Sequence, residues 1–91
     1  MGDGVFDLDH LSLIDWRIIK KVYLSDGMRV PLHEIQNETK YPYHTVRYHC
    51  KCLYKFGLLE KERSSYVSYF APSSKDLQEI VMNRYYTIME A

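Results

Sequence analysis

From Tyr41 to Ala71 the chain reads YPYHTVRYHCKCLYKFGLLEKERSSYVSYFA, and this stretch leaves little freedom in what can be built around it. Pro42 suits the first position of a helix, where the amide it lacks would have no intrahelical partner and its fixed φ is already helical. Gly57 is the expected C-cap residue. At about 100° per residue from Tyr43, Val46, Cys50 and Leu53 share one narrow arc, while His44, Arg47, Tyr48, Lys51 and Lys55 gather on the other side. One face packs and the other offers donors. An ordinary solvated helix face mixes acids with bases, but Tyr43 to Phe56 contains no acid. Beyond Gly57, LLEKERSSYVSYFA alternates loosely about Ser64 and Ser65, which predicts a short β-hairpin with Arg63 and Tyr66 nearest its tip. The strongest turn signals, Asn-Gly and Asp-Gly, are absent from it.

Upstream, Ser12 and Asp15 are spaced as a capping box for a helix over about Leu13 to Leu24, with Asp26-Gly27 supplying the turn beyond it. Ile14, Trp16, Ile18, Ile19, Val22 and Tyr23 cover about 200° of that helix, wider than a single core contact needs. The width fits two partners, the domain's own core and a second subunit, and equally a small core that surrounds its first helix. Met28 to Val30 reads as a short extended segment. A second helix follows from Pro31 to about Thr39, with Leu32 and Ile35 facing the core and Lys40-Tyr41 turning into the third. The final segment, residues 73–90, has Ser73 or Ser74 as N-cap, Asp76 in the first turn, and Leu77, Ile80, Val81, Tyr85, Ile88 and Met89 at helical spacing. That stripe is covered either by a second subunit or by its own domain. The nine tyrosines suit core and interface alike.

Ninety-one residues make one domain, α+β and mainly α, with no repeat, linker or low-complexity segment. Its single core is small, so oligomerisation is a natural source of further burial. No apolar run approaches a membrane span, and the acidic start lacks the basic region of a secretory signal, so the expected location is the cytoplasm. Twelve Lys and Arg balance twelve Asp and Glu, which excludes a histone-like coating protein. The charge is unevenly distributed. Residues 1–19 carry four Asp against Arg17, net −3, whereas residues 20–55 carry seven Lys and Arg against three acids, net +4. Such a patch can hold a phosphate backbone in a neutral molecule; a fluctuation of this size also occurs by chance in a window of that length.

Helix, short turn, helix and hairpin is the order of a winged helix-turn-helix, whose second helix enters the major groove of DNA. TVRYHCKCLYKFGLLEKERSSYVSYF resembles the recognition-helix-to-wing segment of the ArsR and MarR class of winged-helix transcriptional regulators. The matching positions are Thr45, Val46, Cys50, Leu53, Gly57, Leu58, Tyr69 and Phe70. VPLHEIQNETKY resembles the preceding helix, so the likeness spans about residues 13–71. Small winged-helix proteins of archaea and their viruses share the size and layout more loosely. Two features depart from the class: Cys50 stands where a larger aliphatic residue is usual, and the hairpin lacks a longer basic tip.

The resemblance implies a homodimer on a pseudo-palindromic operator that represses transcription. Arg47 is suited to guanine O6 and N7, worth roughly 1 to 3 kcal/mol of discrimination, and Lys51 and Lys55 to phosphates. His44 and Tyr48 can donate to bases or backbone; Tyr43, Thr45, Arg63, Ser64 and Ser65 complete the expected DNA-binding set. Trp16, Ile19, Tyr23, Leu77, Ile80, Val81, Tyr85 and Ile88 form the expected dimer interface. Cys50 and Cys52 lie about 200° apart on the helix, so they cannot share one metal ion. Cys50 reads as a small core residue. Cys52 lies on the exposed flank, as a plain surface thiol, a reactive one or a bridge to another chain. His10, His33, His44 and His49 lack zinc-site spacing, and the helical Cys-x-Cys signature of metal-sensing ArsR proteins is not at the corresponding position. No metal, other cofactor or enzymatic activity is expected, and no residue identifies a small-molecule effector. A second reading, from another class, is a winged-helix module that docks on protein.

Overall fold

The computed structural model describes residues 11–25, 29–64, 67–72 and 75–89, the side chains of Lys75, Asp76, Leu77 and Met89 excepted. Its elements are α1 (Leu13–Tyr23), β1 (Val30–Pro31), α2 (Leu32–Thr39), α3 (Tyr43–Lys55), β2 (Leu59–Ser64), β3 (Val67–Pro72) and α4 (Lys75–Met89). The described residues thus form an α+β, mainly helical arrangement: four helices and one antiparallel sheet of strand order β1-β3-β2. The expected Asp26-Gly27 turn, Met28, Ser65, Tyr66 and the cap at Ser73 or Ser74 lie outside the described residues, as does the side chain of Leu77.

Local chemistry accounts for most of the boundaries. The capping box is formed in both directions: the Asp15 amide donates to Ser12 Oγ, and the Ser12 amide donates to Asp15 Oδ2 at 2.9 Å. Two donors without intrahelical partners are thereby satisfied at the start of α1. Pro31 and Pro42 precede their helices as N-caps, with ψ of 151° and 147°, rather than occupying the first helical position. A proline's φ serves both states, and here ψ stays extended. Pro31 has a reason to do so, since it lies in β1 and pairs with Tyr69, as Val30 pairs with Phe70. The α2–α3 turn passes through Lys40 at φ 64°, with its amide donating to Gln36 O at 2.7 Å.

The end of α3 is a Schellman motif. Gly57 has φ 84°, its amide donates to Tyr54 O at 3.0 Å, and the Leu58 amide reaches back to Leu53 O at 2.9 Å. Leu53 and Leu58, the hydrophobic pair of the motif, are both buried. The Tyr23 hydroxyl donates to Leu58 O, tying α1 to the same corner. From there β2 runs antiparallel to β3, Leu59 opposite Pro72 through Ser64 opposite Val67. Ser64 is therefore a strand residue and not the centre of the turn.

The core collects Trp16, Ile18, Ile19 and Val22 of α1, Ile35 of α2, Val46, Cys50 and Leu53 of α3, Phe70 of β3, and Val81 and Tyr85 of α4. Of the residues expected at a dimer interface, Trp16, Ile19, Tyr23, Val81 and Tyr85 are all buried within the single chain. The reason is that α4 folds back on α1, with the rings of Trp16 and Tyr85 6.4 Å apart. Of that set, Ile80 and Ile88 stay accessible, at 57% and 45% exposure. In a left-handed backbone a Cβ costs about 1 to 2 kcal/mol, less the entropy that alanine removes from the unfolded chain. Gly57→Ala is therefore expected to lower unfolding free energy in urea by about 1 kcal/mol; an unchanged midpoint would exclude the strained turn.

Candidate nucleic-acid interface

Strand pleating sorts the charges of LEKERS. Leu59 points into the core, and residues two and four further on share its side of the sheet. Lys61 and Arg63 accordingly face α3, while Glu62 faces away and forms an ion pair with Arg29. Lys61 and Arg63 meet Arg47 and Lys51 of α3 in a groove of about 310 Å³. Buried Leu32 and Phe70, Ser68 and Val67 of the hairpin, and exposed Tyr43 and His33 complete its lining. No carboxylate lines it. Among the described residues, no ion pair engages Arg47, Lys51 or Arg63, and Lys61 lies 5.8 Å from the centre of the Tyr54 ring.

The outward side of α3 has two ridges at four-residue spacing. Tyr43, Arg47 and Lys51 form the ridge inside the groove. Lys55 continues that ridge beyond the groove, and His44 and Tyr48 are exposed on the neighbouring one. Tyr48 is the most open aromatic residue of the helix, at 64%, and its hydrogen bond to Cys52, aided by charge on that thiol, holds its pKa above the usual value. Thr45 is half-buried. Ser64 departs from expectation, because it lies beside Glu62 and Tyr69 on the opposite face of the hairpin. Ser65 lies outside the described residues. Thus Tyr43, Arg47, Lys51 and Arg63 of the expected set come together, and Ser64 does not join them.

Lys61 and His33 also line the groove, and neither is among the residues expected at a DNA contact. For Lys61 the signal was there: Glu60, Lys61, Glu62 and Arg63 alternate in sign, and period-two pleating puts both cations on one face. His33 follows α2's first residue and is brought in only by the tertiary arrangement.

Three anchors hold α3 beneath this surface. Val46, Cys50 and Leu53 are fully buried. His49 Nδ1 lies 2.7 Å from Asp15 Oδ1, and the other oxygen of that carboxylate belongs to the α1 capping box. The Arg17 guanidinium donates to the Tyr41 hydroxyl at 3.3 Å, bracing the turn before α3. His49–Asp15 joins residues 34 apart and has no periodic signature. It makes one carboxylate serve both a helix cap and a contact between helices.

Among the described residues, no group of three or more His, Cys, Asp or Glu is placed to hold a metal ion, and no helix is long and apolar enough to cross a membrane. No protein-family model matches the sequence, and no curated protein matches it significantly.

Burial, and secondarily the Asp15 carboxylate, pushes the Cys50 thiol from 9.0 up to about 12. Native protein at pH 8 is therefore expected to react with a thiol reagent through Cys52, with Cys50 reacting only in denaturant. Above pH 9 the unfolded chain gives up the Cys50 proton while the folded chain retains it, so stability declines through the window from 9 to 12. Urea titrations should show a steeper decline in the wild type than in Cys50→Ala; equal slopes would contradict a buried, protonated thiol.

Proposed function

We propose that this chain is a winged helix-turn-helix transcriptional regulator that binds double-stranded DNA sequence-specifically as a homodimer. In this reading α2 and α3 are the helix-turn-helix, α3 enters the major groove, and β2 and β3 form the wing. It works by binding and carries out no catalysis. The observation that carries the reading is the convergence of Arg47, Lys51, Lys61 and Arg63 on one groove without a carboxylate, in a chain of zero net charge. A neutral protein that gathers its cations opposite no acid has a surface matched to a polyanion. Arg47 presents the planar fork suited to guanine. Lys51, Lys61 and Arg63 supply phosphate contacts, and the exposed His44, Tyr48 and Lys55 extend the surface along α3.

Support for self-association comes from α4, where Ile80, Tyr86 and Ile88 are exposed large hydrophobics. A two-fold pairing through this helix would cover Ile80 and Ile88 of both copies. It would also present two α3 helices to the half-sites of a palindromic operator.

The test is fluorescence anisotropy of the protein against a pool of short duplexes at two salt concentrations, with its mass in solution recorded alongside. Tight, salt-sensitive, sequence-selective binding by a dimer is expected. Arg47→Ala should cost roughly 1 to 3 kcal/mol on the preferred duplex and relax selectivity, whereas Lys51→Ala should weaken all sequences alike. Ile80→Asp with Ile88→Asp should give a folded monomer with weaker operator binding. Binding no tighter than the roughly 10⁻⁴ to 10⁻⁶ M of non-specific association would overturn the reading in favour of a module that docks on protein.

A further inference from the structure

We propose that the groove between α3 and the β2–β3 hairpin also takes a free nucleoside triphosphate, which competes there with DNA. This rests on the DNA-binding reading and adds to it a means of regulation. The groove has the shape of a small-molecule site. The groove is a concavity of about 310 Å³, at the small end of the roughly 300 to 1,000 Å³ of small-molecule sites. A phosphodiester strand lying across surface cations needs no such depth.

Its cations are spaced for a compact polyanion. Arg47 and Lys51 stand one turn apart on the helical wall, about 6 Å along the axis. Lys61 and Arg63 stand two residues apart on the strand wall, about 7 Å. Two cation pairs therefore face one another across a single groove with no acid between them. Their mutual repulsion is relieved most completely by a ligand that concentrates negative charge within the reach of both pairs. A triphosphate chain does this, with arginine supplying forked contacts and lysine point charges.

Part of the lining is apolar and aromatic. Leu32 and Phe70 of the lining are buried, and Tyr43 and His33 are exposed. These rings offer a face to a nucleobase. Duplex DNA keeps its bases stacked within the helix and offers no base face to these rings. The lining thus pairs anion-binding groups with a stacking surface, the combination a free nucleotide has and a duplex backbone lacks.

The experiment uses the full chain and two titrations. ATP, inorganic triphosphate and AMP are each added at matched ionic strength, first to the protein alone by calorimetry and then to its complex with the duplex pool by anisotropy. ATP is expected to bind, to displace the duplex more effectively than inorganic triphosphate, and to exceed AMP by roughly tenfold or more, the effect of one lost charge-assisted contact. Arg63→Ala and Lys61→Ala should each weaken ATP by a similar factor, with folding checked by circular dichroism; Arg63→Lys should recover part of the loss. Duplex binding without ATP binding, or displacement by ATP no greater than by sulfate at the same ionic strength, would overturn the proposal and leave the DNA reading standing. Equal binding of inorganic triphosphate would overturn the nucleoside assignment. Absence of duplex binding would overturn the DNA reading and the competition with it.

Discussion

The cationic groove depends on the reversal of the chain at Gly57. Helix α3 can place Arg47 and Lys51 in a row, and β2 can place Lys61 and Arg63 in another, but neither makes a groove alone. The left-handed backbone at Gly57 and the amides of Gly57 and Leu58 returning to Tyr54 and Leu53 set the angle between the two rows. Burial of Leu53, Leu58 and Leu59 holds that angle, and the Tyr23 hydroxyl fixes the corner to α1. A side chain requiring negative φ at position 57 would redirect the hairpin, and with it two of the four cations.

The charge pattern gains meaning from where the acids go. Lys21 lies 4.0 Å from Glu34 and 3.9 Å from Glu38, Arg29 pairs with Glu62, and Asp15 holds His49. The pairs of Lys21 and Arg29, whose carboxylates are exposed, contribute little to stability. Their consequence is spatial: these carboxylates are engaged away from the groove. Pleating does the rest, by sending Glu62 and the lysine and arginine beside it to opposite faces of β2. Zero net charge and a strongly basic groove therefore coexist without contradiction.

Much of this was legible in the sequence because it is local. Ser12 with Asp15, the apolar arc of Val46, Cys50 and Leu53, and Gly57 as a helix stop each act within a few residues, where periodicity and capping chemistry apply. What was missed is long-range. The pairing of the two-residue β1 with β3 is too short to leave a pattern, and its claim on Pro31 moved the start of α2. The packing of Tyr85 on Trp16 covers part of one broad apolar arc from within the chain, a contact that no helical wheel can show. Ser64 was misplaced by a one-residue shift in the hairpin centre, which in a strand reverses the face. The His49–Asp15 contact depends on how α1 crosses α3, a property of the packed core.

The central claim is that helix and hairpin cations act as one polyanion-binding surface. It is tested most directly by the salt dependence of duplex affinity in the wild type and in a Lys61→Ala, Arg63→Ala variant whose thermal unfolding matches it. Each phosphate neutralised contributes roughly 0.9 to the slope of log affinity against log salt, so the account predicts a slope shallower by about 2 in the variant. An unchanged slope would show that the hairpin takes no part in the surface and would contradict the account.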